Sequence, residues 1–424
     1  MDEYAMRIVL APRDFVRVIA GSAWVICGAA SGAASGAGLD ESMFSLGGFG
    51  TLGMVHSSEH EADFTTTSFK PNGAGYTRDW SADVDSLVAA QVTARFTPQL
   101  SAILQVMAQQ NENNTYWPHV EWADVKYQLT PELDIRVGRT AVPTFLITEA
   151  RNIGYSNPWV RAPVNLYGLD PITNIDGVDL SYRTPFGNGI QTLTASYGYR
   201  NQNAPMFGLL KVHDNWIITD TAEFGAATLH IAYQKAILVV PHLDPLFDAF
   251  REFGPQGVAL ADRYGVTNKP ATFFGVGGMY DPGGWFLTAE WGTSDLHSAL
   301  GRSSGGYVSG GYRLGKFTPY LTYGKSTADN LSDPGLSVSG LPPALAGEAT
   351  ALNGALNSIL STKRVQSTVS AGLRWDFLKN ADLKMQVDHT RIGAGSSDEL
   401  INLQPGYRPG GIVNLISIVF DFLF

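Results

Sequence analysis

The tightest constraint on this chain lies at its end, from Gly411 to Phe424. Ile416, Ile418, Phe420, Phe422 and Phe424 share one face of an extended segment, and Leu415, Ser417, Val419, Asp421 and Leu423 share the other. Side chains in a strand alternate with period two, so one face is wholly apolar and the other mixed. A soluble sheet would bury the apolar face in a core. A barrel in lipid turns it outward and keeps the mixed face inside. The stretch ends on Phe-Asp-Phe-Leu-Phe, and a frayed soluble terminus rarely carries such residues. A last strand that closes a barrel on the first has both edges paired and does not fray.

Composition is compatible with a barrel. Only 16% of residues are Asp, Glu, Lys or Arg, and 46 are Gly. No internal stretch reaches the eighteen or so consecutive apolar residues of a membrane-spanning helix, whereas barrel strands are short and weakly marked. Residues 1–37 read as a secretory signal peptide. Arg7, Arg13 and Arg17 make the basic start, Val18 to Ala30 the apolar core, and Ser35-Gly36-Ala37 the small-residue exit. The single cysteine, Cys27, falls inside this segment, so a processed chain would contain no thiol. The formal charge of −10 is unfavourable for nucleic-acid binding, which needs clustered Lys and Arg.

The remaining sequence repeats one unit: a strand, a short turn and a strand. Thr97-Pro98-Gln99-Leu100, Thr130-Pro131-Glu132, Pro185 to Gly189, Asp281-Pro282-Gly283-Gly284, Leu314-Gly315-Lys316 and Lys379-Asn380-Ala381 mark the turns. They lie between alternating segments such as Asp83 to Phe96, Ser101 to Gln110, His119 to Leu129 and Val365 to Phe377. The connections at the other end read longer and more polar: 56–82, 111–118, 201–219, 325–363 and 393–410. Two weaker strands are expected, around Asn165 to Leu169 and at Ala222 to Ala236. The count comes close to sixteen, with 14 and 18 left open, and barrels of this kind carry an even number.

The Phe-terminated strand and the hairpin rhythm resemble Gram-negative outer-membrane porins, in which a terminal strand ending on Phe serves as the address for barrel assembly. The resemblance implies an all-β fold, a transmembrane antiparallel β-barrel of about sixteen strands occupying 38–424. It also implies short periplasmic turns, long extracellular loops and passive diffusion of small polar solutes or ions. Its expected partners are outer-membrane lipid and lipopolysaccharide, the assembly machinery and a homotrimer of like chains; no cofactor is implied. A substrate-selective uptake channel is the alternative reading.

Porins commonly fold one loop into the channel, and 141–163 is the candidate for that constriction. The segment 241–264, with Leu246, Phe247, Phe250 and Phe253 near helical spacing, reads as a surface helix or a second inserted segment. The stretch 325–363 reads equally as a folded external loop or a disordered linker. By strand parity Arg95, Lys126, Arg136, Arg200, Glu290, Arg374 and Lys384 are pore-lining candidates, and Glu149, Arg151 and Arg161 are constriction candidates. Phe420, Phe422 and Phe424 are the candidates for closure and assembly. Most of the wall charges taken singly would be no more than hydrated wall residues. Catalytic motifs are weak. The histidines form no His-Glu-x-x-His motif, and Gly301-Arg302-Ser303-Ser304-Gly305 matches the nucleophile-elbow spacing without the strand before it or the helix after it.

Overall fold

The computed structural model describes residues 43–205, 208–329, 332–361, 364–397 and 399–424. The candidate signal peptide lies outside the described residues. Sixteen strands form the wall: β1 (Phe44–Ser57), β2 (Leu87–Arg95), β3 (Leu100–Gln109), β4 (His119–Gln128), β5 (Leu133–Ala141), β6 (Asn174–Phe186), β7 (Gly189–Ala204), β8 (Gly208–Phe224), β9 (Ala227–Val239), β10 (Lys269–Tyr280), β11 (Trp285–Asp295), β12 (Arg302–Tyr312), β13 (Phe317–Ala328), β14 (Gln366–Leu378), β15 (Ala381–Ile392) and β16 (Gly411–Leu423). Each pairs antiparallel with the next, and β16 pairs with β1 from Phe49↔Leu423 to Ser57↔Leu415. Closure leaves no free sheet edge, which is what a hydrocarbon environment demands of every backbone N–H and C=O.

Alternation sets inside and outside. On β9, Leu229, Ile231 and Tyr233 are exposed, while Thr228, His230, Ala232 and Gln234 between them are buried. The exposed face is the apolar one around the wall, the inverse of a soluble protein and the pattern a lipid-facing surface needs. Near the short-turn rim the outward rings of Phe317, Trp375, Phe377, Phe420, Phe422 and Phe424 form a continuous ladder, with successive centroids 5.3–6.2 Å apart. Such contacts contribute about 0.5–1.5 kcal/mol each beyond area burial.

The seam explains two of the glycines in β1. Phe424 N–H donates to the Gly48 carbonyl at 3.0 Å, and Gly48 N–H donates to the Phe424 carbonyl at 2.9 Å. A Cβ on Gly48 would strike the Phe424 ring and the Ala89 carbonyl, and one on Gly50 would strike the Phe422 ring. Two terminal phenylalanines therefore lie over positions that have no side chain.

Several elements depart from the sequence reading. Of residues 201–219, expected as a loop, 201–204 belong to β7 and 208–219 to β8. A bulge between His213 and Trp216 shifts the register there, and Asp214 has a positive φ of 49°. Ala222 to Ala236, expected as one strand, is a hairpin turning at Gly225-Ala226. Asn165 to Leu169 is not a strand: Val164–Tyr167 is one short helical turn, α1, inside the barrel. Strand β2 begins at Leu87 rather than Asp83, because residues 83–85 form a turn.

The long connections fold over one rim. The first loop packs Ala62, Phe64, Ala74 and Val84 against Ile392, Leu400, Val413 and Leu415. Its Lys70 is buried and donates to the carbonyls of Asp83 at 2.7 Å and Val84 at 2.8 Å. Burial pulls the ammonium down to a pKa of about 8. Helices α2 (Asp244–Arg251), α3 (Gly254–Tyr264) and α4 (Pro343–Leu360) form a small cap around Phe247, Phe250, Leu260, Leu336, Leu356 and Leu360.

Candidate functional site

Residues 142–173, between β5 and β6, run across the inside of the barrel and touch strands from opposite sides of the wall. Their sequence makes this possible. Short 3-10 turns at Thr148–Ala150 and Gly154–Ser156 turn backbone carbonyls toward the wall, and that of Gly154 accepts from Lys384 as well as from the Asn157 N–H of its own turn. Apolar Phe145, Leu146, Ile147, Trp159, Leu166 and Tyr167 then pack with Phe273, Met279, Phe286, Tyr307 and Tyr320, which point inward from the strands.

Wall cations hold one side of the loop. Lys384, fully buried, donates to the Gly154 carbonyl at 2.6 Å and to Asp421 at 2.8 Å. Arg374 donates to the carbonyls of Tyr155 at 2.7 Å and Asn157 at 3.1 Å and pairs with Asp376 and Asp382. Its guanidinium also stacks over the Tyr155 ring, 4.8 Å from the centroid. Asp421 in turn accepts from the Thr51 hydroxyl across the seam. A buried charge is tolerable only when paired and hydrogen-bonded, and Arg374, Lys384 and Asp421 satisfy one another and the loop in that way, whereas Asp382 is ion-paired but, among the described residues, accepts no hydrogen bond at either oxygen.

The loop supplies the mirror arrangement with Arg161. Its guanidinium meets Asp85 at 2.9 and 2.6 Å, Asp388 at 3.1 Å and the Ser417 hydroxyl at 2.6 Å. Those carboxylates hold its pKa above the ordinary arginine value against the opposing effect of burial, which is the largest single influence. Farther along, Glu290 accepts from the Leu146 N–H at 2.8 Å and from the hydroxyls of Tyr167 at 2.7 Å and Tyr307 at 2.6 Å. The Trp159 indole donates to Ser309 at 2.7 Å. Close approach of α1 to the wall depends on Gly305, where any Cβ would strike the Asn165 carbonyl.

The remaining sequence candidates fall elsewhere on the wall. Arg136 pairs with Glu149 of the loop at 3.1 Å and with Asp179 at 3.0 Å, and Lys126 pairs with Asp134 at 2.7 Å. Arg95 is exposed at the short-turn end of β2, away from the loop. Arg200 and Arg151 differ from the rest: among the described residues neither has a carboxylate within ion-pairing distance. Arg200 reaches only Gln202, at 3.1 Å, and Arg151 lies over the Tyr167 ring at 5.4 Å. Both line a cavity of about 460 Å³ on the long-loop side of residues 149–154, together with Glu121 and Arg139. A second cavity, of about 230 Å³, lies on the opposite side among Asp124, Lys126, Arg136 and Glu149.

Sequence reasoning missed the partners. Asp179, Asp382, Asp421, Tyr167 and Tyr307 complete these networks, and their only advance signal was inward parity or a place in the loop. The elbow-like stretch at 301–305 opens β12, where Ser303 pairs with Ser294 and Ala328, so it forms no elbow.

A closed barrel of sixteen antiparallel strands with a polar lumen crossed by the third long loop defines the class, a porin-type outer-membrane barrel. The sequence model of the Gram-negative porin family matches residues 22–395, and the chain belongs to that family. Similar solved structures include the outer membrane channel DcaP of Acinetobacter baumannii, 11% identical with a TM-score of 0.54 over 92% of this chain and 100% of that one. The anion-selective porin from Comamonas acidovorans is 11% identical, with a TM-score of 0.51 over 90% and 99%. The in-vitro folded trimer form of OmpT from Vibrio cholerae is 11% identical, with a TM-score of 0.50 over 90% and 100%. At these identities the likeness carries the fold alone. No curated protein matches the chain in sequence. The protein is a multi-pass β-barrel of the outer membrane and a channel for passive diffusion of small solutes.

Proposed function

We propose that solutes pass beside residues 149–154, between that part of the loop and the wall of β3 to β7, and that the channel performs no chemistry. Selection then rests on width and on the charges facing the gap. The carrying observation is the charge balance there. Around the gap Arg136, Arg139 and Arg161 are paired with carboxylates, whereas among the described residues Arg151 and Arg200 have none within ion-pairing distance. Two guanidiniums without a paired carboxylate, with Glu121 the acidic group in the gap that acts on both, favour anions over cations there even though the whole chain carries a net charge of −10. Reversal potentials across a potassium chloride gradient test this. The expected sign is a modest chloride preference that falls when Arg151 and Arg200 are both replaced by Gln. Potassium preference in the unaltered channel overturns it.

The subunits assemble as a homotrimer on this reading, supported by family membership and by the trimer form of the Vibrio cholerae neighbour. Lipopolysaccharide and the barrel-assembly machinery are the partners this placement entails, with Phe420, Phe422 and Phe424 as the segment that machinery would read. Crosslinking in outer-membrane vesicles separates a trimer from a monomer directly.

A further inference from the structure

Inward faces of a porin lumen are polar, and most of this one is: Thr194, Thr219, Thr288, Ser309 and Thr322 are typical. One region departs from the pattern. Val212, Leu238, Phe273, Leu300 and Ile359 converge on a cavity of about 240 Å³ between the end of the crossing loop and the wall of β8 to β12. The cavity lies against the helical cap, on whose core Leu238, Leu300 and Ile359 also pack, and it meets the arginine-lined gap only at Phe69, Pro171 and Ile172. A cavity of roughly 150 Å³ lined by Leu, Ile and Phe accommodates benzene, so this one has room for a single ring with a short arm.

The polar wall of the same cavity carries Asp170. The Ile172 N–H donates to its carboxylate at 3.3 Å, and Gln234 lies alongside. Among the described residues no Lys or Arg comes within ion-pairing distance of it. Arg364, also at the cavity, is engaged by Glu399 at 3.4 Å and by the Gly168 carbonyl. The nearest influence of a cation is Arg151, beyond pairing range. A carboxylate in apolar surroundings without a counter-charge is costly, and a ligand that brings the charge removes that cost.

We propose that this cavity is a binding site for a small amphipathic organic cation, its apolar body against Val212, Leu238 and Phe273 and its ammonium on Asp170. Such a solute would pause beside the pore rather than in its narrowest part. The site goes beyond passive diffusion, which requires no binding.

The test is calorimetric titration of the barrel in lipid nanodiscs near neutral pH with phenethylammonium chloride, with empty nanodiscs subtracted. Phenylacetate and 2-phenylethanol serve as the anionic and neutral controls. The expected result is saturable one-site binding of the ammonium, weakened by about tenfold or more in Asp170→Asn and similarly in Val212→Phe, which fills the cavity and leaves its charge alone. Both controls should bind weaker by a similar factor. Equal or tighter binding of phenylacetate would move the site to Arg151 and overturn the proposal. So would the absence of saturable binding, or unchanged binding in both variants. Conductance of the same preparations reports separately on folding and on the diffusion reading, so a failed titration with intact conductance counts against this site alone.

Discussion

Single side chains decide whether the crossing loop stays in place. Arg161 answers two carboxylates, Asp85 from the turn before β2 and Asp388 from β15 of the wall. Its replacement by Ala strands both, and leaving buried charges unpaired costs about 3–5 kcal/mol. Arg161→Ala should therefore show a lower unfolding temperature and noisier open-channel current, measured by thermal melting in detergent and by bilayer recording. Loss of neither would mean that the pair is solvated in the working protein. Asp170 gives a pH dependence. Burial raises its pKa from 3.8 to about 6, with Arg151 and Gln234 pulling the other way. The native fold thus holds this proton more tightly than the unfolded chain does. Its contribution to stability is complete below about 3.8 and is lost as pH rises through about 6. Asp170→Asn should flatten that part of the melting-temperature profile.

At the scale of elements, the closing seam and the crossing loop make different demands. Gly48→Val sets a branched side chain against the Ala89 carbonyl and the Phe424 ring. It should reduce the yield of heat-modifiable barrel on a semi-native gel while leaving total synthesis unchanged. Gly305→Leu acts on the loop instead. It displaces α1 from the wall, so the expected outcome is an inserted barrel of larger conductance whose crossing loop becomes open to protease. The strands were legible because period-two alternation and Pro- or Gly-marked turns are local signals, and β11, β13 and β16 follow them cleanly. Residues 201–219 were not. Asn201, Gln202, Asn203, Asp214 and Asn215 read as loop, and the bulge between His213 and Trp216 breaks the alternation there. The run at Asn165 to Leu169 failed for the opposite reason: its apolar residues face other lumen side chains, which strand parity does not foresee. Inward charges could be named from parity, but their partners could not. Arg161 and Asp388 lie 227 positions apart, and only closure of the barrel brings them together.

Considered whole, the molecule is a hydrophobic cylinder with a crowded, ion-paired interior and a helical cap on one rim. Its lumen is narrowed by chain rather than by wall curvature, because sixteen strands alone enclose a space too wide for side chains to fill. Transport and structure are therefore separable: removing the inner loop should widen the pore without opening the barrel. Planar-bilayer recording of the purified barrel tests this most directly, comparing the intact chain with one in which residues 149–157 are replaced by a short Gly-Ser linker. The expected result is discrete, ohmic current steps from the intact protein and clearly larger steps from the variant. A heat-modifiable, fully inserted barrel that carries no current, or one whose steps are the same with and without that segment, would contradict it.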